Sequence, residues 1–352
     1  MARARGGSKG RVRDVGLTVA VTGPTGEIGT SVVAALEHEP GVERVLGMAR
    51  RPFDPSVRGW TKTAYRQGDI LDRDAVGLLV AEADVVVHLA FLIMGSHAQT
   101  GRTNLAGATN VFEATVEASR PRRLVYASSL AAYGYHPDNP TPLTEDVPAR
   151  GSPEHYYSRQ KAECEAVLRE VTAGSDVDVY VLRPCIVAGP TATLLADSMP
   201  WNRAGAAVSA VVRAGARVSP LLRPLLPDPG VPVQLVHPHD VASAVTAAVL
   251  GRGSPGAYNL AGAGEVSFGE VARALGGRGV PVPRGMTAAT SRVLAHLPLV
   301  PALAEWVHPV RTPMVMDTSR ATSELGWAPQ YTSAEALAAM AEAVRRRDRG
   351  GR

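Results

Sequence analysis

Leu17-Thr18-Val19-Ala20-Val21-Thr22-Gly23-Pro24-Thr25-Gly26-Glu27-Ile28-Gly29 runs from a short apolar, β-branched stretch into three glycines spaced three apart. Residues 17–21 read as a buried parallel strand, because a strand covered on both faces is hydrophobic almost without interruption. Glycine lets the chain turn sharply behind that strand and lets a ligand approach the backbone closely. A helix over residues 29–38 follows. The free amides at its start would therefore suit a phosphate or pyrophosphate.

Working outward, strands are predicted at residues 42–49, 64–67, 84–90, 123–128, 178–182 and 257–260. Helices are predicted at 104–118, 154–172 and 239–250. Strand alternating with helix from residue 17 to about 184 implies an α/β fold, a doubly wound parallel sheet with helices on both faces. After Pro184 the pattern degrades. Residues 189–232 are rich in Pro, Gly, Leu and Arg, and residues 264–330 are broken by Pro281, Pro283, Pro298, Pro301 and Pro309. The expected organisation is a basic tail at 1–14 and a ligand-binding unit at 15–184. A smaller irregular lobe at 185–340 would shape a substrate pocket, with segments near 233–261 returning to the first unit, and a second basic tail would follow at 341–352.

The chain has 352 residues and a formal charge of +4, unevenly placed. Residues 1–13 carry +5 and residues 345–352 carry +4, which leaves −5 for everything between. A mildly acidic body argues against a nucleic-acid-binding face, and the tails read as solvated, disordered ends. A hydrophobic content of 45% with 20% charged residues excludes a largely disordered chain. No apolar run approaches the roughly 20 residues needed to span a bilayer, and the first strand is too short for a signal segment. A cytoplasmic protein with no membrane partner is expected. Cys164 and Cys185 are the only cysteines and make neither a disulfide framework nor a metal site.

Tyr157-Ser158-Arg159-Gln160-Lys161 places a phenol and an ammonium four apart on one helix face. A nearby positive charge favours phenolate and brings a tyrosine towards the working range of a general acid/base. The chain contains three lysines, Lys9, Lys62 and Lys161, so this pairing stands out.

Thr22-Gly23-Pro24-Thr25-Gly26-Glu27-Ile28-Gly29 and Tyr157-x-x-x-Lys161 together resemble the extended short-chain dehydrogenase/reductase family, the NAD-dependent epimerase/dehydratase group. The resemblance spans residues 17–330 and implies a Rossmann-type fold. It implies a third catalytic group, a Ser or Thr four residues before a Tyr-Gly pair. Tyr133-Gly134 then selects Ser129 over Ser128. By the same resemblance Gly23, Thr25, Gly26, Glu27, Ile28 and Gly29 hold the dinucleotide. Asp69 and Ile70 meet the adenine, and Leu89 and Ala90 of His88-Leu89-Ala90 lie under the adenosine. Pro184 of Leu182-Arg183-Pro184 sits beside the nicotinamide. Asn104, ahead of Gly107-Ala108-Thr109-Asn110, takes a supporting place near the catalytic group. His237-x-x-Asp240-Val241-Ala242 and Leu325-Gly326-Trp327-Ala328-Pro329 match two further segments. A homodimer through the helices near 104–118 and 155–171 is also implied.

The second strand ends Gly47-Met48-Ala49-Arg50-Arg51 with no acid until Asp54. An acid there suits the ribose hydroxyls of NAD, whereas arginines suit a 2′-phosphate. Arg50 and Arg51 therefore predict NADP as the preferred cofactor, with NAD possible and no metal. The reaction expected is reversible hydride transfer between the nicotinamide and an alcohol or carbonyl carbon of a small molecule. Tyr157 exchanges the proton, Ser129 orients the oxygen, and Lys161 lowers the tyrosine pKa and holds the nicotinamide ribose.

Two alternatives are a nucleotide-sugar epimerase and a non-catalytic dinucleotide sensor. Against the first, Ile186 stands where such enzymes often carry Asn, and Gln234 where they carry a diphosphate-binding Arg. Leu130-Ala131 replaces the Asp-Glu pair of dehydratases. Arg213, Arg217 and Arg223 keep an anionic substrate open. Leu194, Leu195, Met199, Trp201, Leu221, Leu222, Leu225 and Leu226 read either as core or as an apolar pocket for a less polar substrate. Ser129, Tyr157 and Lys161 are all present, which argues against the sensor.

Overall fold

The strands, in chain order, are β1 (Leu17–Thr22), β2 (Val42–Ala49), β3 (Thr63–Gln67), β4 (Val85–His88), β5 (Arg123–Ala127), β6 (Asp178–Pro184), β7 (Ile186–Val187), β8 (Leu225–Asp228), β9 (Leu235–Val236), β10 (Gly256–Leu260) and β11 (Arg278–Pro281). The helices are α1 (Gly29–His38), α2 (Arg73–Val80), α3 (His97–Glu117), α4 (Tyr156–Thr172), α5 (Leu194–Asp197), α6 (Pro200–Arg203), α7 (Pro238–Val249), α8 (Phe268–Ala274), α9 (Ser319–Leu325) and α10 (Ser333–Gly350). The structure is a computed structural model and describes residues 16–93, 97–203, 219–282 and 312–350.

Seven strands form one sheet in the order β10-β6-β5-β4-β1-β2-β3, and every paired neighbour is parallel. The order reverses beside β1, between β2 on one side and β4 on the other. A crevice opens at such a point beyond the carboxyl ends of the strands. Successive residues of a strand face opposite sides of the sheet. Val19, Val21, Val85 and Val87 join Val32, Val33 and Leu36 of α1 and Val241 and Val245 of α7 in one core. Ala20, Leu46 and Val86 join Val76 and Leu79 of α2, Val111 and Phe112 of α3 and Leu168 of α4 in the other. This is the doubly wound, Rossmann-type architecture expected from the sequence.

Several boundaries moved for local reasons. The fourth strand stops at His88, since Leu89 donates one backbone hydrogen bond to Thr22 and the chain then leaves the sheet. α4 begins at Tyr156 because His155 caps it by accepting from the Ser158 amide. α7 begins one residue early, with Pro238 in its first turn and His237 as its cap. α2 was absent from the sequence reading, although Asp72 accepts from the Asp74 and Ala75 amides as a helix cap does.

A third core holds the smaller lobe, with Ala188, Leu195, Met199, Trp201, Val231, Phe268, Leu337 and Met340 buried together. Leu195, Met199 and Trp201 are thus core residues, whereas Leu221, Leu222 and Leu225 are exposed. Arg213 and Arg217 lie outside the described residues, as does the first basic tail through residue 15. The second tail is corrected in part. Residues 341–350 continue α10, whose Ala336, Leu337 and Met340 are buried and whose Arg347 pairs with Asp197 at 2.6 Å. A run of good helix formers with one apolar stripe folds when that stripe has a core to meet. Asp240 joins this end of the chain to α7, because its carboxylate accepts from the Gln330 and Tyr331 amides while its backbone carbonyl accepts from the Trp327 indole.

Glu165 on α4 and Arg183 on β6 form a bidentate pair at 3.0 and 2.6 Å, with both side chains less than a tenth exposed. Removing one partner of a buried pair leaves the other charge uncompensated. Glu165→Ala should therefore lower unfolding stability by about 3–5 kcal/mol. Glu165→Leu combined with Arg183→Leu should cost much less. Urea unfolding of the three proteins checks this, and equal losses would contradict it.

Candidate functional site

The turn after β1 packs backbone against backbone. Gly23 has φ +77°, and a Cβ there would lie 2.9 Å from the Ala90 amide nitrogen. A Cβ on Gly29 would overlap the Gly23 carbonyl oxygen. Glycine is required at both places. The turn thereby brings Leu89 and Ala90 of the chain after β4 against the start of α1. No side chain caps α1, and its first turn holds no acid. Thr25 and Gly26 are exposed at the rim of the turn. Uncapped amides facing an open rim fit a pyrophosphate, and the cradle admits it because no Cβ fills it.

Arg50 and Arg51 follow β2 at the same end of the sheet. Both are exposed, and neither side chain has an ion-pair or hydrogen-bond partner among the described residues. Their backbone carbonyls are fixed, since Gln67 donates to that of Arg50 and the Tyr65 hydroxyl to that of Arg51. The backbone at both arginines is thus fixed, and their side chains are exposed. Asp69 lies after β3, half-buried, and accepts from the Leu71 amide. Ile70 is buried in the sheet core, and its carbonyl accepts from the Asn110 side chain. Pro184 closes β6, buried opposite Leu260 of β10.

Ser129 follows β5, and its hydroxyl oxygen accepts from the Ala131 amide at 3.1 Å. Ser128 is committed elsewhere, donating to Glu165 at 2.5 Å, so Ser129 is the serine left to the site. Ser129 is near enough to the phenol of Tyr157 on α4 to favour its ionised form. Lys161, one turn on, donates to the Ala127 carbonyl at 2.8 Å and stands 3.8 Å from the centre of the Phe91 ring. Phe91 also meets Tyr157 edge-on, with ring centres 5.6 Å apart. The sequence reading missed Phe91. Its signal was an aromatic side chain directly after His88-Leu89-Ala90 in a chain with four phenylalanines.

Asn104 is buried and acts through the backbone. Its amide oxygen accepts from the Leu92 amide, and its nitrogen donates to the Leu92 carbonyl and the Gln160 side chain. It fixes the Phe91 segment against α4. It touches neither Tyr157 nor Lys161 among the hydrogen bonds of the described residues.

Burial dominates the electrostatics of the site. Burial raises the Tyr157 pKa, and the nearby Ser129 hydroxyl only partly opposes this. Burial in turn pushes Lys161 down to about 8, with Cys164 and Glu165 acting the other way. His88, at the end of β4, is driven down to about 3, first by burial and then by Lys161, so its imidazole is neutral. Its Nδ1 meets the Thr22 hydroxyl at 2.7 Å, while its Nε2 has no partner among the described residues.

Glu27 is also revised as a binding group. Its carboxylate is occupied by the Thr193 and Leu194 amides, both at 2.8 Å, which leaves the backbone as its contribution to the turn. Gln234, at the place of a diphosphate-binding arginine, exchanges two hydrogen bonds with Met316.

The folded pKa of Lys161 lies below the value of about 10.4 for an unfolded lysine. Its burial penalty is therefore complete below about pH 8 and is relieved as pH rises from there towards the unfolded value. The stability difference between the protein and Lys161→Met should narrow from pH 7 to pH 10. Urea unfolding at several pH values checks the sign, and a widening gap would refute it.

A model of the NAD dependent epimerase/dehydratase family matches residues 19–261. A protein of uncharacterised function from Mycobacterium tuberculosis is 26% identical over 327 residues, covering 91% of this chain and 82% of its own. Human 3 beta-hydroxysteroid dehydrogenase type 7 is 31% identical over 197 residues, 51% of this chain and 53% of its own. Among solved structures, a variant of UDP-glucuronic acid 4-epimerase from Bacillus cereus, bound to a UDP-sugar analogue and NAD, superposes with a TM-score of 0.69. That likeness covers 94% of this chain and 99% of the epimerase at 18% identity, so it speaks to the fold alone.

Proposed function

The chain belongs to the NAD dependent epimerase/dehydratase family, and from that premise we propose that it is a dinucleotide-dependent oxidoreductase acting on an alcohol or carbonyl of a small molecule, with NADP preferred. The observation that carries this reading is that Tyr157 and Lys161 both pack on Phe91, the residue after the Ala90 that lies against Gly23 of the glycine turn. The nicotinamide, when bound, would supply or accept the hydride. Tyr157 would give or take the proton at its phenolic oxygen. Ser129 Oγ would hold the substrate oxygen in line with that phenol. The Lys161 ammonium would leave its carbonyl and ring cradle to serve the ribose and the phenol. Burial of Tyr157 favours the protonated phenol, which suits it to donate in the direction of carbonyl reduction. Asn104 is a positioning residue, acting through Gln160 and the Leu92 backbone. α3 and α4 are the helices proposed for a homodimer.

The gly-rich turn would take the pyrophosphate on the amides at the start of α1. Unpaired Arg50 and Arg51 support a 2′-phosphate, as planar guanidinium groups bind phosphates in a bidentate way. Against a nucleotide-sugar substrate stand Ile186 and the Gln234 amide already engaged with Met316. The partial likeness to a hydroxysteroid dehydrogenase supports a less polar substrate. Screening ketones, aldehydes, 3-ketosteroids and sugar nucleotides separates these classes. Interconversion of sugar nucleotides without net change in cofactor would favour an epimerase instead.

Tyr157→Phe should lower turnover by about 10²–10⁴-fold, the usual contribution of a general acid/base. Dinucleotide binding, read by fluorescence titration, should change little. A variant with normal rates would remove Tyr157 from the chemistry.

NADPH should support a higher kcat/KM than NADH. Arg50→Ala and Arg51→Ala should each weaken NADPH by about tenfold or more, the effect of one hydrogen bond to a charged group, and leave NADH nearly unchanged. Equal or better use of NADH by the unaltered protein would overturn the NADP preference.

A further inference from the structure

Glu27 is a carboxylate inside the phosphate-seating turn, two residues before the start of α1. Negative charge near a helix start is favourable by itself, but beside a bound pyrophosphate it is of the wrong sign. The structure gives this carboxylate another task. Oε1 accepts from the Thr193 and Leu194 amides at 2.8 Å each. The Thr191 hydroxyl donates to the Glu27 carbonyl at 2.9 Å and lies 3.3 Å from the Ser31 hydroxyl of α1. Every one of these contacts joins the turn to the first segment of the lobe, more than 150 residues away in sequence.

The far end of that segment is tied as well. Thr193 donates through its hydroxyl to Asp197 at 2.9 Å, and Asp197 pairs with Arg347 of α10 at 2.6 Å. Residues 191–197 are therefore strung between the glycine turn and the last helix. Burial raises the Glu27 pKa, the Thr193 and Leu194 amides act against it, and the negative charge of Asp197 adds a smaller rise. The carboxylate is held in place by geometry at some electrostatic cost.

We propose that Glu27 is a positioning residue that couples the glycine turn to residues 191–197, so that a dinucleotide bound at the turn orders the entry of the lobe. This rests on the reading of the turn as a dinucleotide site. A substrate would then meet an ordered lobe only after the dinucleotide is in place. The side chain would do this without touching the cofactor, since its acceptor oxygen is already used.

Hydrogen exchange of the full chain, with and without NADPH, tests the coupling without any substrate. NADPH should slow exchange in peptides spanning 191–197 by about tenfold or more, the change that one hydrogen bond to a charged group corresponds to. Glu27→Ala should bind NADPH within about threefold of the unaltered protein, a shift under 1 kcal/mol, and show no such slowing. Glu27→Gln keeps an acceptor oxygen and should restore part of it. Equal slowing in Glu27→Ala, no recovery in Glu27→Gln, or no slowing in the unaltered protein would overturn the coupling. A loss of NADPH binding beyond tenfold in Glu27→Ala would do the same by making Glu27 part of the cofactor site. Failure of the unaltered protein to bind either NADPH or NADH would remove the reading of the turn itself, and fluorescence titration shows this separately.

Discussion

Helix α1 starts in contact with the Gly23 carbonyl, closer than any side chain at Gly29 would allow. That approach of backbone to backbone sets the rest of the molecule. It brings the uncapped amides of the helix to the carboxyl end of β1. It also leaves room for the chain after β4 to lie against Gly23, with Ala90 in contact. Because the sheet order reverses at β1, these segments edge a crevice instead of a closed core. The site is a consequence of where two glycines let the chain fold back.

Charge is then distributed so that few groups in the crevice are free. Arg183 and Glu165 cancel each other beneath the site, and Ser128 adds a third bond to that pair. Lys161 is held by a carbonyl and an aromatic face, in surroundings dry enough to weaken its hold on a proton. Glu27 is spent on the lobe. Arg50 and Arg51 are left as exposed cations without partners among the described residues. The acidic body therefore carries two exposed cations just after β2, which the net charge of +4 does not reveal.

The strands were legible because burial on both faces leaves a near-continuous apolar signature, as in Val19-Ala20-Val21 and Val85-Val86-Val87. Tyr157 and the glycines were legible through their spacing, which local geometry translates into position, and Ser129 only through the family resemblance. Phe91 was not, because its place between Tyr157 and Lys161 depends on how β4 and α4 meet. The state of Lys161 was not legible either. A lysine four residues after a tyrosine predicts a shared helix face, but not which partner the ammonium takes. α10 looked like a basic tail because its arginines dominate the composition, while the stripe that anchors it is made of Ala336, Leu337, Met340 and Ala341.

The sequence by itself determined the parallel sheet, the glycine turn and the tyrosine–lysine helix face. Each is a pattern within a few residues whose period or backbone freedom has one reading. Only the tertiary structure decided what each charged group does. Glu27 reaches residues 193 and 194, Glu165 reaches Arg183, and Asp197 reaches Arg347, across separations of 18 to 167 residues. Electrostatic energy depends on distance and burial in space, and neither is written in the order of the chain.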